Sequence, residues 1–402
     1  MPVTDLSYFL PSKKLKLIDA KQDGAKTIWL VETKPSRCEP CSRCGELCSQ
    51  FYGKAKTRLR DEPLRSESLY IEIIKQRYFC KRCKKPFVER IDGFKSNQRS
   101  TGRFEKFIAE MCEKFSNISD VQRRYNCSSS FAYRVFYKYQ AIKLKEKINY
   151  GWPSVIGIDE HFFSRRNGYI EYVTVLTDMN KKRLYEMVQG KDTRSLIEQL
   201  SHLPGRENVK LVAMDMSSTY KKFVKDFFPN AMIVADKFHV LRLLTPTIMR
   251  MQKGIHGHRQ ELLLKKLVLK NRMSMDYFLR SDVDKYLKQH PELDMIYRYK
   301  ERLYEFYRTK GVVRAVRGFY RLMNQLKGTG HKVLLKLAKT MERWKKEILL
   351  YFETGLTNAR TEAFNRTAKL VQRKACGYKS FKNYRLRTLN ACSWKTFWIY
   401  QR

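Results

Sequence analysis

The sequence predicts a mixed α/β protein of several domains, and three observations support that class. Two short apolar runs, Val155–Ile158 and Leu211–Met214, have the length and composition of buried strands, and an aspartate follows each. Residues 238–350 carry long amphipathic patterns without strand signals, which predicts helices. Six cysteines crowd into residues 38–83, which indicates a small metal-binding domain.

Composition indicates a polyanionic partner. Lys and Arg number 82 against 40 acidic residues, for a formal net charge of +42. Such a chain repels itself unless a polyanion neutralises it, so we expect salt-dependent binding to DNA or RNA. A structural RNA binder of the ribosomal type is the alternative, and the ordered placement of the acidic residues disfavours it. No signal-peptide pattern and no apolar run near the roughly 20 residues of a membrane span are present, so a cytoplasmic protein is expected.

The first domain, residues 1–95, is predicted to be zinc-ribbon-like. Two CxxC pairs present four thiolates to one tetrahedral zinc ion: Cys41 with Cys44, and Cys80 with Cys83. Cys38-Glu-Pro-Cys41 is also a CxxC pair, so Cys38/Cys41 is an alternative first pair, and Cys48 lies nearby. We favour Cys41/Cys44 because Gly45 supplies the turn that a zinc knuckle often uses.

The second domain, residues 96–150, is predicted to contain a helix-turn-helix that binds DNA. Apolar residues from Phe104 to Phe115 recur at spacings of three and four, and a helix, a turn and a second helix follow. Ser119 and Ser128 are the expected N-caps of those two helices. The groove-facing residues of the second helix are then Ser129, Ser130, Tyr133 and Arg134.

Residues 151–240 have the element order of a ribonuclease-H-like core. The predicted order is three antiparallel strands, a helix, a strand, a helix and a strand. The first strand is Val155–Asp159, and the first helix has Asp192 or Thr193 as its cap. Residues 241–350 are predicted to be an all-helical insertion into this core. Residues 351–402 would complete the core with a basic helix that carries Glu362.

The acidic residues suggest a metal site. Asp159, Asp215 and Asp236 each end an apolar run, and carboxylates at strand ends beside one on a helix can hold two divalent cations. A lone aspartate is more often a turn residue, and a lone glutamate more often belongs to a solvated helix face. Composition alone leaves open which of the four carboxylates is the spare one.

Three groups of motifs resemble the ISL3 family of bacterial insertion-sequence transposases. The first comprises the CxxC pairs with Leu59-Arg-Asp-Glu-Pro between them. The second comprises Gly157-Ile-Asp-Glu, Met214-Asp-Met-Ser with Tyr220 downstream, and Ala235-Asp-Lys-Phe-His-Val. The third and most specific is Thr357-Asn-Ala-Arg-Thr-Glu-Ala-Phe-Asn with the basic segment after it. The resemblance spans nearly the whole chain and preserves the order of the motifs.

The resemblance implies a DDE-type transposase with a ribonuclease-H-like core. Its triad maps onto Asp159, Asp215 and Glu362, which would bind two Mg²⁺ or Mn²⁺ ions. Asp236 and His239 are then family features that support the site. The residues expected to hold DNA phosphates near it are Arg366, Lys369, Arg373 and Lys374.

These observations together predict an enzyme that binds terminal inverted repeats, cleaves DNA and transfers the strand to target DNA. Its partner is double-stranded DNA, and bringing two ends together implies a homodimer or larger assembly, in a bacterial cytoplasm at the nucleoid. One alternative is an inactive zinc and helix-turn-helix regulator, which would bind but not cleave. Another is a structure-specific nuclease, which would cut branched DNA without regard to terminal sequence.

Overall fold

The computed structural model describes residues 9–34, 36–65, 67–92, 94, 97–115, 117–147, 151–166, 169–256 and 262–392. Over these residues the chain forms two compact units that divide after Glu146, and the short segment Lys374–Gly377 groups with the first unit. None of the helices within these ranges is long and apolar enough to cross a membrane. The protein is therefore mixed α/β with more than one domain, as the sequence predicts.

The strands of the first unit form one five-stranded and one two-stranded sheet. They are β1 (Leu15–Asp23), β2 (Lys26–Thr33), β3 (Glu39–Pro40), β4 (Leu47–Cys48), β5 (Phe51–Leu64), β6 (Glu67–Cys80) and β7 (Lys85–Val88). The larger sheet has the order β1-β2-β6-β5 with β7 on β6, and the small one pairs β3 with β4. The long β5–β6 hairpin lies between the two CxxC pairs in sequence and explains their wide spacing.

Three helices complete the first unit: α1 (Gly102–Lys114), α2 (Ile118–Tyr125) and α3 (Ser129–Lys147). They enclose a small core that includes Phe104, Ile108 and Val121. The predicted cap Ser128 is confirmed, because its hydroxyl accepts a hydrogen bond from the Phe131 amide at 3.3 Å. The predicted cap Ser119 is wrong. Asn117 caps α2 instead, accepting from the Asp120 amide, and Ser119 already lies inside the helix.

The second unit contains a five-stranded sheet of order β10-β9-β8-β11-β12. Its strands are β8 (Val155–Arg166), β9 (Tyr169–Asp178), β10 (Arg183–Gln189), β11 (Leu211–Met214) and β12 (Met232–Ala235). β8, β9 and β10 pair antiparallel, whereas β11 pairs in parallel with both β8 and β12. The predicted strand types and their order are therefore those observed.

One strand boundary differs from the prediction. β8 does not end at Asp159 but continues to Arg166, because its antiparallel pairing with β9 extends that far. Its parallel pairing with β11 reaches only Gly157. Asp159 thus lies within β8, but beyond the point where the neighbouring parallel strand stops pairing.

The remaining helices surround this sheet and extend beyond it. They are α4 (Thr193–Leu200), α5 (Ser218–Phe227), α6 (Lys237–Leu241), α7 (Thr245–His256), α8 (Leu262–Leu269), α9 (Tyr277–Lys288), α10 (Pro291–Arg308), α11 (Val312–Gly328), α12 (Lys332–Arg343), α13 (Lys345–Thr354), α14 (Ala359–Lys374) and α15 (Phe381–Cys392). The Asp192 side chain caps α4 by accepting from the Ser195 amide at 2.8 Å, which confirms one of its two predicted caps.

The helices from α7 to α13 share one hydrophobic core with the sheet. Ile156 and Val212 of the strands belong to the same buried cluster as Leu293, Leu337 and other helix residues. Residues 238–251 and 332–352 each look continuous in sequence, but each contains two helices. α12 and α13 separate at the buried Trp344, whose backbone departs from helical geometry.

A close approach to β8 fixes the position of α14. A β-carbon added at Gly157 would lie 2.3 Å from Thr361 Oγ1 and 2.6 Å from Asn358 Oδ1. The Asn358 amide also donates to the Ile158 carbonyl at 2.8 Å. Only glycine at this position allows the helix to lie so close to the strand.

Gly157→Ala is expected to lower the free energy of unfolding by about 1–3 kcal/mol, because the added methyl group displaces buried side chains of α14. Chemical denaturation measures the effect. Gly254→Ala, in α7 where nothing lies within 4 Å of the added carbon, is the control and should be neutral or slightly stabilising. Equal losses in the two variants would contradict the close approach.

Candidate active site

The sheet register brings three aspartates to the same edge. Gly157 of β8 pairs with Ala213 of β11, so Asp159 and Asp215 each lie two residues beyond that pair. Met214 of β11 pairs with Ala235 of β12, so Asp215 and Asp236 each follow their strand by one residue. Parallel strands end at a common edge, which accounts for the clustering of these side chains.

Helix α14 adds Glu362 to this edge from its first turn. Glu362 Oε1 accepts from the Arg242 guanidinium at 3.2 Å, and Oε2 lies 4.0 Å from Arg366 on the next turn. The Asn358 backbone amide at the start of the helix donates to Asp236 Oδ1 at 3.1 Å. Asp236 therefore connects the end of β12 to the helix that carries Glu362.

Asp236 and His239, the two residues expected to support the site, lie close to Glu362. Asp236 is fully buried, and its Oδ2 is 3.0 Å from His239 Nδ1. One ligand atom from each of Asp236, His239 and Glu362 falls within 4.8 Å of the other two. Among the residues that the structure describes, the predicted triad of Asp159, Asp215 and Glu362 does not form a cluster that tight.

Burial raises the pKa values of the two strand aspartates. The pKa of Asp159 rises to about 6 because of desolvation, which the amide of Glu160 partly offsets by donating to Oδ1. Burial also raises the pKa of Asp215, and the nearby Glu160 carboxylate raises it further. The hydrogen bond to Asp236 raises the pKa of His239, and Asp215 and Asp159 add to that effect. An imidazole with a raised pKa thus lies among three carboxylates.

Two buried carboxylate oxygens in this cluster accept no hydrogen bond from the described residues. They are Asp215 Oδ1 and Glu160 Oε2. Desolvated, mutually repelling carboxylates with free oxygens are the ligands that hard divalent cations such as Mg²⁺ prefer. The donor set therefore fits Mg²⁺ or Mn²⁺.

A buried chain of hydrogen bonds orients the Asp159 carboxylate. Asn365 Nδ2 donates to Asp159 Oδ2 at 2.9 Å, and Asn365 Oδ1 lies 3.2 Å from His161 Nδ1. His161 Nε2 lies 2.7 Å from the Tyr384 hydroxyl. Burial lowers the pKa of His161 to about 4, so the ring is neutral and carries its proton on Nδ1, facing the amide oxygen. Each polar group in the chain then has a partner of the right kind.

The basic residues proposed to contact DNA near this site lie on the outside of α14. Arg366, Lys369 and Arg373 follow Glu362 at intervals of four, three and four, so all four share one helix face. The three cations are exposed, as is Lys374 at the end of the helix. In the first unit, the predicted groove-facing residues are likewise exposed in the first two turns of α3: Ser129, Ser130, Tyr133 and Arg134.

The first unit brings four cysteines together as the favoured pairing predicts. They are Cys41, Cys44, Cys80 and Cys83. The sulfur atoms of Cys41 and Cys83 are 4.0 Å apart, and those of Cys44 and Cys80 are 3.6 Å apart. Tetrahedral zinc with bonds of about 2.3 Å separates its sulfur ligands by about 3.8 Å, so the cluster fits zinc.

The backbone around the cysteines also fits two zinc knuckles. Gly45 and Lys84 each follow the second cysteine of a pair, and both have positive φ, +77° and +50°. The Cys83 amide donates to Cys80 Sγ and lowers the pKa of that thiol to about 6, which favours a thiolate ligand. Cys38 is exposed and Cys48 Sγ donates to the Glu46 carbonyl, so neither is part of the four-cysteine cluster.

Sequence reasoning missed several residues that the structure places at the site. Arg242 and Tyr384 carry no local signal, because they reach the site from distant helices. His161 could have been found, since alternate residues of a strand share a face and Asp159 is two positions earlier. Asn365 could have been found as well, three residues after Glu362 on the same helix.

Comparisons with known proteins identify the family. Residues 156–388 match the DDE transposase family of the ISL3 type, described as "Transposase". The chain is also 22% identical over 378 residues to the transposase for insertion sequence element IS1001 of Bordetella parapertussis. That similarity covers 90% of this chain and 91% of its relative.

Asp159→Asn is expected to stabilise the metal-free chain at high pH. Because the pKa of Asp159 is raised, ionising this carboxyl destabilises the folded chain. This destabilisation is absent well below pH 3.8 and is complete above about pH 6. Removing the charge raises the free energy of unfolding by up to about 3 kcal/mol. Losing one accepted hydrogen bond lowers it by about 1 kcal/mol. We expect a net gain of about 1–2 kcal/mol at pH 8, and about 1 kcal/mol less at pH 5.

Urea unfolding in EDTA at the two pH values measures this gain. Asp226→Asn, at an exposed position of α5, is the matched control and should change neither value. A destabilised Asp159→Asn variant at pH 8 would contradict the claim that burial raises the pKa of this carboxyl.

Proposed function

This chain belongs to the ISL3 family of insertion-sequence transposases, and we propose that it is a metal-dependent DDE enzyme that cleaves and transfers DNA. One observation carries the proposal. The sheet register and α14 bring Asp159, Asp215 and Glu362 to one edge, where the two aspartates are desolvated and have raised pKa values. Such perturbed carboxylates are typical of functional sites.

The strand order supports a ribonuclease-H-like core. Three antiparallel strands followed by two parallel ones, in the order β10-β9-β8-β11-β12, form the sheet of that fold. Helices α4 and α5 follow β10 and β11 in sequence, as in that fold. The helices from α7 to α13 would be an insertion between β12 and α14 that has merged its core with that of the sheet.

Asp159, Asp215 and Glu362 would hold two Mg²⁺ or Mn²⁺ ions. Bound there, the ions supply the Lewis acid that activates water and stabilises the leaving oxygen in phosphoryl transfer. Asn365 holds the Asp159 carboxylate in one orientation. Asp236 holds the start of α14 by accepting from the Asn358 amide, and His239 is hydrogen-bonded to Asp236.

The basic side chains of the site would bind DNA phosphates. Arg242 and Arg366 contact Glu362 and lie where they can bind the phosphates that flank the scissile bond. Cleavage at the element end frees a 3′-hydroxyl, which then attacks target DNA. This route needs no covalent protein–DNA bond.

The first unit would recognise the terminal inverted repeats. A zinc ion on the four cysteines would brace the end of the β5–β6 hairpin, and the exposed side chains of α3 would enter the major groove. Synapsis of two element ends would require at least a homodimer, acting on the nucleoid in the cytoplasm.

Two other functions share part of this evidence. A regulator would bind the repeats through the same first unit without cleaving them, but it would not need the desolvated carboxylates of Asp159 and Asp215. A structure-specific nuclease would use the same chemistry on branched DNA. The choice between transposase and nuclease depends on whether cleavage requires the terminal repeat sequence.

Glu362→Gln is expected to lower cleavage of a labelled inverted-repeat duplex at least about 100-fold while leaving binding intact, since the amide is a poor ligand for Mg²⁺. The assay compares Mg²⁺ with EDTA and a repeat duplex with a scrambled one. Glu198→Gln, an exposed glutamate on α4, is the matched control and should retain full activity. Unchanged cleavage by Glu362→Gln would contradict the assignment.

Cys80→Ser is expected to reduce bound zinc from about one ion per chain to near zero, because three thiolates and a hydroxyl form a much weaker site. Metal analysis of the purified protein measures the change. Cys38→Ser is the control and should keep its zinc, as Cys38 lies outside the cluster. Loss of zinc from Cys38→Ser would favour the alternative pairing.

A further inference from the structure

The segment from Phe306 to Met341 has an unusual charge. It contains nine Lys and Arg residues and no Asp or Glu. It covers the end of α10, all of α11 and most of α12. All nine basic residues are exposed: Arg308, Lys310, Arg314, Arg317, Arg321, Lys327, Lys332, Lys336 and Lys339.

These charges lie on the outer faces of two helices that pack together. The inner face of α11 buries Ala315, Phe319 and Leu326, and the inner face of α12 buries Leu334 and Met341. The helices are thus held by apolar contacts, and the basic residues make no contribution to that core.

Helix α12 presents its cations as one stripe. Lys332, Lys336, Lys339 and Arg343 follow at intervals of four, three and four, which places them on one face. At 1.5 Å per residue, the three lysines span about 10 Å along the helix axis. The phosphates of one strand of duplex DNA repeat at about 3.4 Å along the duplex axis, so an equal length of duplex carries about three of them per strand.

Few of these charges are neutralised by the protein. Lys327 pairs with Glu342 at 3.1 Å. Within the described residues, the other eight form no ion pair with a carboxylate. An exposed and largely unneutralised set of cations has the charge complementarity that a nucleic-acid backbone requires.

We propose that α11 and α12 form a second DNA-binding surface, which contacts the phosphate backbone of duplex DNA without reading its sequence. This surface is distinct from α3 and α14, and it deepens the proposed transposase function, on which it rests. Its lysines and arginines contact phosphates, which are the same in every duplex. Their loss should therefore weaken binding to any duplex by the same factor.

The test neutralises the stripe and measures the salt dependence of binding. The variant K332Q/K336Q/K339Q is titrated with an inverted-repeat duplex and with an unrelated duplex between about 50 and 200 mM salt, a range over which proteins with several phosphate contacts lose orders of magnitude in affinity. We expect the slope of log K against log salt to become less steep by about 2–3 for both duplexes. Each lost phosphate contact reduces the magnitude of the slope by about 0.9.

Two further variants keep the test specific. K210Q/K222Q/K225Q removes the same charge from exposed lysines elsewhere in the second unit and should change the slope by less than about 1. K332R/K336R/K339R keeps the charge and should restore the slope. Thermal unfolding of each variant confirms that the fold is retained.

The outcomes separate this inference from the proposed function. An unchanged slope in K332Q/K336Q/K339Q, or an equal fall in K210Q/K222Q/K225Q, would overturn the second DNA-binding surface. A fall confined to the inverted-repeat duplex would also overturn it, in favour of sequence readout. Mg²⁺-dependent cleavage by the unsubstituted chain is measured in parallel and tests the transposase proposal independently of the slopes.

Discussion

The candidate active site depends on the close packing of α14 against β8. Gly157 leaves no side chain between the two elements, so Asn358 can donate to the Ile158 carbonyl and Thr361 can lie against the strand. Because the helix is fixed at its first turn, Glu362 in that same turn is carried to the edge where the strand aspartates lie. Asn365 one turn later reaches Asp159 for the same reason. Glu362, although distant in sequence, thus lies at the same edge as the aspartates of the sheet.

Electrostatics makes this site costly to fold and suited to its proposed task. Burial and mutual repulsion raise the pKa values of Asp159 and Asp215. Basic groups of α6 and its end lie beside these carboxylates, where His239 is hydrogen-bonded to Asp236 and Arg242 pairs with Glu362. Asp215 Oδ1 and Glu160 Oε2 accept no hydrogen bond from the described residues, so both oxygens are available to a divalent ion.

Much of the fold could be predicted because the signals are local. The strands of the second unit are short apolar runs, and Ser128 and Asp192 are caps that reveal themselves by residue type. The CxxC pairs likewise identify their own cluster. Local patterns failed where tertiary contacts determine the end of an element. β8 extends past Asp159 because it pairs with β9, and the range 332–352 is divided into α12 and α13 at Trp344. The chain of hydrogen bonds from Asp159 through Asn365 and His161 to Tyr384 joins residues more than 200 positions apart. Local periodicity could indicate His161 and Asn365 singly, but it could not show that they are linked.

Locating the divalent ions tests the central claim most directly. The protein would be crystallised with an inverted-repeat duplex and Mn²⁺, and the ions placed by their anomalous scattering. The account predicts Mn²⁺ in contact with the Asp159 carboxylate, and further contacts from Asp215 and Glu362. Mn²⁺ bound by Asp236, His239 and Glu362, with Asp159 and Asp215 making no contact to any ion, would contradict it. In that case the buried aspartates would serve the fold, and the tight cluster at the end of β12 would be the metal site.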